Sequence, residues 1–116
     1  MEEIRTGSNR HKVDSAIETA MKMIQENLHQ KLILTEIAQK IGLSYVQFLR
    51  RFRAYTGLTP SDYVNTLRIQ KAKELLSNTD ALVKDIAADC GFENEYYFSN
   101  SFKKEVGMAP SSFRKL

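Results

Sequence analysis

Arg50, Arg51 and Arg53 stand within four positions of one another in the stretch GLSYVQFLRRFRAYTG, residues 42–57, which contains no acidic residue. A guanidinium is a permanent cation with donors set in a rigid fork, suited to phosphate oxygens and to the O6/N7 edge of guanine. Three of them without an internal acid cannot be explained as i,i+4 ion pairing along one helix. The chemistry they suggest is recognition of an anion.

The rest of the chain offers little else to do chemistry with. His11 and His29 fall in a terminal tail and at a helix end, no Cys, His and acidic cluster has metal-ligand spacing, and no glycine-rich phosphate loop occurs. No catalytic residue, metal ligand or cofactor site can therefore be nominated. The single Cys90 excludes an internal disulfide and a cysteine-rich zinc site, and suits a reducing compartment. It precedes a turn glycine and is expected to be a small core residue.

The elements that must position the arginines follow from periodicity. With 116 residues, 42% of them apolar, the chain can bury a core, and its net charge of +3 permits an anionic partner without requiring one. Apolar residues recur at steps of three and four and only Pro60 and Pro110 interrupt, so the fold class is all-α. Residues 1–12, MEEIRTGSNRHK, read as a flexible tail or linker remnant, with neither a signal peptide nor a membrane span. A first helix is expected over about 14–28, with Ser15 and Glu18 as a capping box and Val13, Ile17, Met21, Ile24 and Leu28 as its apolar stripe. A short helix over about 35–41 ends at Gly42. A second helix, opened by the Ser44–Gln47 capping box, runs to Thr56, and a long helix follows from Thr59-Pro60 to about Ser77, burying Tyr63, Val64, Leu67, Ala72, Leu75 and Leu76.

The chain then repeats itself. EIAQKIGL at 36–43 returns as DIAADCGF at 85–92, and FLRRFRAYTGLTPSDY at 48–63 returns as FSNSFKKEVGMAPSSF at 98–113. Each copy has a small Ala, a turn Gly four residues on, and a second helix whose aromatics recur every four positions. That is the logic of a helix-turn-helix.

The arrangement resembles the DNA-binding domain of the AraC family of bacterial transcription regulators over about residues 13–115, with DIAADCGFENEYYFSNSFKKEVGMAPSSFRK similar to the family's signature region and RIQKAKELL to its linker helix. The resemblance implies about seven helices: a first helix-turn-helix subdomain over 13–58, a linker helix over 59–78 and a second subdomain over 79–116. It implies sequence-specific binding of double-stranded DNA for transcription regulation, with helices 44–56 and 95–106 entering successive major grooves. It further implies RNA polymerase subunits as protein partners, a monomeric isolated domain, and a cytoplasmic, nucleoid-associated location in a bacterium. Arg68 matches the family's linker arginine and is expected to tie that helix to its neighbours. Family members commonly join this domain to an effector-binding or receiver domain, so the chain reads as a fragment of a larger regulator.

Candidate contacts follow from the helical projection. With Phe48 at zero and about 100° per residue, Phe52 and Tyr55 share its face while Val46, Arg50 and Arg53 lie opposite, flanked by Gln47 and Ala54. Arg50 suits guanine, Val46 a thymine methyl, and Arg51 and Arg53 the phosphates. Gln47 joins the base-contacting set and Ser44 the phosphate set. On the second copy Tyr96, Asn100 and Lys103 point outward with Glu93, Tyr97 and Lys104 nearby; Asn100 suits adenine, and Lys103 and Lys104 the phosphates. The family resemblance adds Leu49 and Glu95 to the base-contacting positions. Residues 93–106 set Lys103 and Lys104 against Glu93, Glu95 and Glu105, so the first module is expected to supply most of the electrostatic affinity. The competing expectation is a helical protein-interaction module with weak or lost DNA binding.

Overall fold

The computed structural model describes residues 13–116, so the tail at 1–12 and His11 lie outside the described residues. Seven helices follow in order: α1 (Ser15–Glu26), α2 (Leu34–Lys40), α3 (Tyr45–Thr56), α4 (Pro60–Asn78), α5 (Val83–Asp89), α6 (Glu95–Val106) and α7 (Pro110–Arg114). No strand occurs among the described residues. The chain forms two compact units. Among the described residues the first gathers 13–23 with Ile33–Pro60, and the second gathers Ile24–Leu32 with Ser61–Leu116.

The first unit is held by Ile17 and Ala20 of α1, Ile37 and Ala38 of α2, and Phe48 and Phe52 of α3, all buried. The rings of Phe48 and Phe52 meet edge to face at 5.6 Å, as one turn of spacing dictates. The cap of α1 sits one residue earlier than the sequence pattern suggests, and the helix ends at Glu26 rather than near Leu28. Asp14, not Ser15, is its cap: its Oδ1 accepts from the Ile17 N–H at 3.3 Å while its carbonyl accepts from Glu18. Ser15 is already helical, so the expected Ser15–Glu18 box does not form. Val13 is correspondingly 66% exposed.

The second unit is built on Ile69, Ala72 and Leu76 of α4, Ile86, Ala87 and Cys90 at α5, Phe92, and Phe98 and Phe102 of α6. Ile69, 1% exposed, joins the core although the sequence pattern passed over it. Cys90 is fully buried, and burial pushes its thiol pKa up to about 11. It is an inert core residue at neutral pH.

The repeat seen in sequence is a repeat of hydrogen bonds. After α2 the Gly42 N–H donates to Gln39 and the Leu43 N–H to Ala38; after α5 the Gly91 N–H donates to Ala88 and the Phe92 N–H to Ala87. Both are Schellman closures, in which a left-handed residue satisfies the last carbonyls of one helix and redirects the chain into the next. Gly57 and Gly107 close α3 and α6 in turn.

Neither α1 nor α4 has a basic residue in its own last turn. The segment that follows α1 and the end of α4 are each tied instead by an arginine from far along the chain. Arg68 donates from Nε to the Leu28 carbonyl at 3.1 Å and from Nη2 to Gln30 at 2.8 Å. Arg114 of α7 donates from Nε to the Leu76 carbonyl at 3.3 Å and from Nη2 to Thr79 at 3.1 Å. These bonds give charged partners to the carbonyls of the turn after α1 and to an orphan terminal carbonyl of α4. They also explain why Ile24–Leu32 groups with the second unit: Arg68 holds that segment beside Gly91 and Phe92.

Candidate nucleic-acid interface

The first candidate helix begins with a complete capping box. The Ser44 hydroxyl accepts from the Gln47 N–H at 3.1 Å, and the Gln47 side-chain oxygen accepts from the Ser44 N–H at 3.0 Å. The box occupies the oxygens of both side chains and leaves the Nε2 donors of Gln47 outside it. Phe48 and Phe52 anchor the inner face, so the opposite face turns outward: Val46 is 69% exposed, and Arg50 and Arg53 are exposed. Among the described residues neither arginine is paired with a carboxylate. Leu49 is half-buried beside them.

Arg51 has a different placement from its neighbours. Its Nε donates to Asp14 Oδ2 at 3.0 Å and its Nη2 to Asp14 Oδ1 at 2.7 Å, a bidentate ion pair between α3 and the start of α1. The pairing lowers the Asp14 pKa below its ordinary value, chiefly through the Arg51 hydrogen bond, and raises that of Arg51. Of three basic groups expected to face a polyanion, one is therefore already neutralised. One turn on, Tyr55 donates its hydroxyl to Glu18 Oε2, and this bond raises the phenol's pKa above its usual value. Sequence reasoning missed Asp14 and Glu18. Their spacing of four, matched by Arg51 and Tyr55, was the available signal.

The second candidate helix, α6, is capped by Asn94, whose Oδ1 accepts from the Tyr97 N–H at 2.7 Å. Phe98 and Phe102 point inward. Glu95, Asn100, Lys103 and Lys104 are exposed, and Tyr96 is 79% exposed. Tyr97 is 57% exposed, with its ring 5.8 Å from that of Phe92. Asn100 and Lys104 line an open cleft of about 620 Å³ whose other wall includes Ser61, Asp62 and Asn65 of α4. With Asp62 and Glu105 in its lining, that cleft is a poorer anion site than the α3 ridge.

The described residues contain no group of three or more potential metal ligands, and no helix among them is long and apolar enough to cross a membrane.

The fold is shared with known proteins. A model of the helix-turn-helix domain matches residues 37–116, and the chain belongs to the AraC-type helix-turn-helix family. The HTH-type transcriptional activator RhaR of Klebsiella pneumoniae is 33% identical over 102 residues, which is 88% of this chain and 36% of that protein. The chain thus spans about a third of the length of the curated relatives it matches. Among solved structures, the C-terminal domain of AraT, a response regulator from Geobacillus stearothermophilus, superposes with a TM-score of 0.86 at 28% identity, covering 90% of this chain and 87% of that one. The DNA-binding domain of AdpA, a global transcriptional factor solved with a target DNA, gives a TM-score of 0.82 at 28% identity, covering 86% of this chain and 90% of that one. None of these likenesses points to a protein-docking module.

Proposed function

We propose that this chain binds double-stranded DNA sequence-specifically and serves transcription regulation, with α3 as its principal reading helix. The observation that carries the reading is the outward ridge of Val46, Arg50 and Arg53 on the second helix of a helix-turn-helix, unpaired with acids among the described residues and backed by buried Phe48 and Phe52. Family membership and the likeness to a domain solved on its target DNA support it.

In this reading Arg50 takes guanine bidentately, Val46 meets a thymine methyl, and Gln47 and Leu49 complete the base-contacting surface. Arg53 and the α3 start at Ser44 face phosphates. The ion pair with Asp14 supports reading Arg51 as acting within the unit rather than on a phosphate. On α6, Tyr96, Asn100 and Glu95 meet bases and Lys103 and Lys104 phosphates, with less electrostatic affinity. In this reading the protein acts in the bacterial cytoplasm at the nucleoid, with RNA polymerase subunits as partners, and this domain binds as a monomer.

The test is in vitro selection from randomised duplexes at near-physiological salt. Enrichment of an asymmetric motif with two blocks about one helical turn, 10–10.5 bp, apart supports the reading. A pool that stays random after several rounds overturns it.

A further inference from the structure

We infer that Asp14 and Glu18, which lie on α1 and away from the outward ridge, are positioning residues for sequence readout: they fix the roll of α3 about its own axis. The inference rests on the DNA-binding reading above. Arg51 and Tyr55 are one turn apart on α3, Asp14 and Glu18 one turn apart on α1, and the two pairs join as successive rungs. The upper rung is bidentate, which constrains direction as well as distance. Both rungs attach to the flank of α3 next to Phe48, so they resist rotation where aromatic packing alone would permit it.

Roll matters because readout is angular. A helix with its side chains has a radius of about 5–6 Å, so a roll of ~10° carries a guanidinium roughly 1 Å sideways. That is enough to spoil the two parallel bonds by which Arg50 would grip guanine. A phosphate contact tolerates such a shift far better, because it needs only proximity of charge.

The second unit supplies the contrast. By the internal repeat, Ser101 and Glu105 of α6 occupy the places of Arg51 and Tyr55. Ser101 brings no cation, and among the described residues Glu105 accepts a single long bond of 3.4 Å, from Thr66. α6 therefore lacks the charged rung that holds α3.

The experiment compares Asp14→Asn, Arg51→Gln and Tyr55→Phe in the full chain, on a duplex obtained by selection and on its scrambled counterpart, across a salt series. Asparagine keeps the α1 cap while removing the charge. Each variant is expected to lower the selected-to-scrambled affinity ratio by about threefold to tenfold while the salt slope on scrambled DNA stays unchanged. If Asp14→Asn instead tightens binding to both duplexes and Arg51→Gln weakens it, with the slopes changing by about one, Arg51 is a masked phosphate contact and the inference fails. It fails equally if melting temperatures fall but the ratio at a temperature well below them does not. Tyr55→Phe removes one hydroxyl and keeps the ring, so at least one variant retains its fold. Absence of any selectivity in the unmodified chain would overturn the DNA-binding reading itself, and would be seen before any variant was made.

Discussion

Gly91 is packed against Leu28: a Cβ added at Gly91 would overlap the Leu28 carbonyl oxygen and press on the Arg68 guanidinium. The turn of the second helix-turn-helix is thus docked on the segment that follows α1, and the glycine is required twice, for its φ of +91° and for the space. Gly42, its counterpart, has a φ of +77° and nothing within 4 Å of the same position. Gly42→Ala should cost about 1–2 kcal/mol, the strain of a left-handed alanine alone. Gly91→Ala should cost about 3 kcal/mol or more. Urea melts of the two variants decide it; equal costs would refute the docking.

Arg50→Ala should weaken binding to the selected duplex by about 1–3 kcal/mol while leaving scrambled DNA nearly unaffected. Arg53→Ala should weaken both and reduce the salt slope by about 0.9, the signature of one phosphate lost. Asn100→Ala should cost less than Arg50→Ala. Titrations at three salt concentrations separate these outcomes, and equal costs for Arg50 and Asn100 would refute the ranking of the two helices.

The two rungs of the first unit set a pH window. Asp14 has a folded pKa below its ordinary value, so its pairing contributes stability above about pH 4 and loses it as pH falls toward the depressed value. Tyr55 has a raised pKa, so its bond contributes below about pH 10 and is lost as pH rises through the folded value. Comparing melts of the unmodified chain with Asp14→Asn should show their difference fading on the acid side, and the comparison with Tyr55→Phe on the alkaline side.

Cys90 should resist a thiol reagent at pH 7 in the folded chain and react fully in denaturant, because burial keeps the thiol protonated. Rapid labelling under native conditions would show that α5 opens locally.

The repeat, the all-α class, the Ser44 box and the inward aromatics were legible because each is a local pattern of period 3.6 or a turn glycine. Ile69 was not, since the apolar residues of α4 are spread around the helix rather than confined to one stripe. The role of Arg51 was hidden for a different reason. Its neighbours in sequence gave it the same charge and setting as Arg50 and Arg53, while its partner lies 37 positions away. Helical projection separates faces of one helix but does not say which face meets another.

Arg68 and Arg114 have a consequence for the order in which the molecule is made. The segment after α1 is held by a residue 40 positions downstream of Leu28, and the last turn of α4 by one 38 positions downstream of Leu76. Synthesis runs from the N-terminus, so both carbonyls leave the ribosome before the guanidinium that holds them. Cutting the chain just before Arg114 would therefore remove little apolar core but leave α4 without the clasp that finishes it.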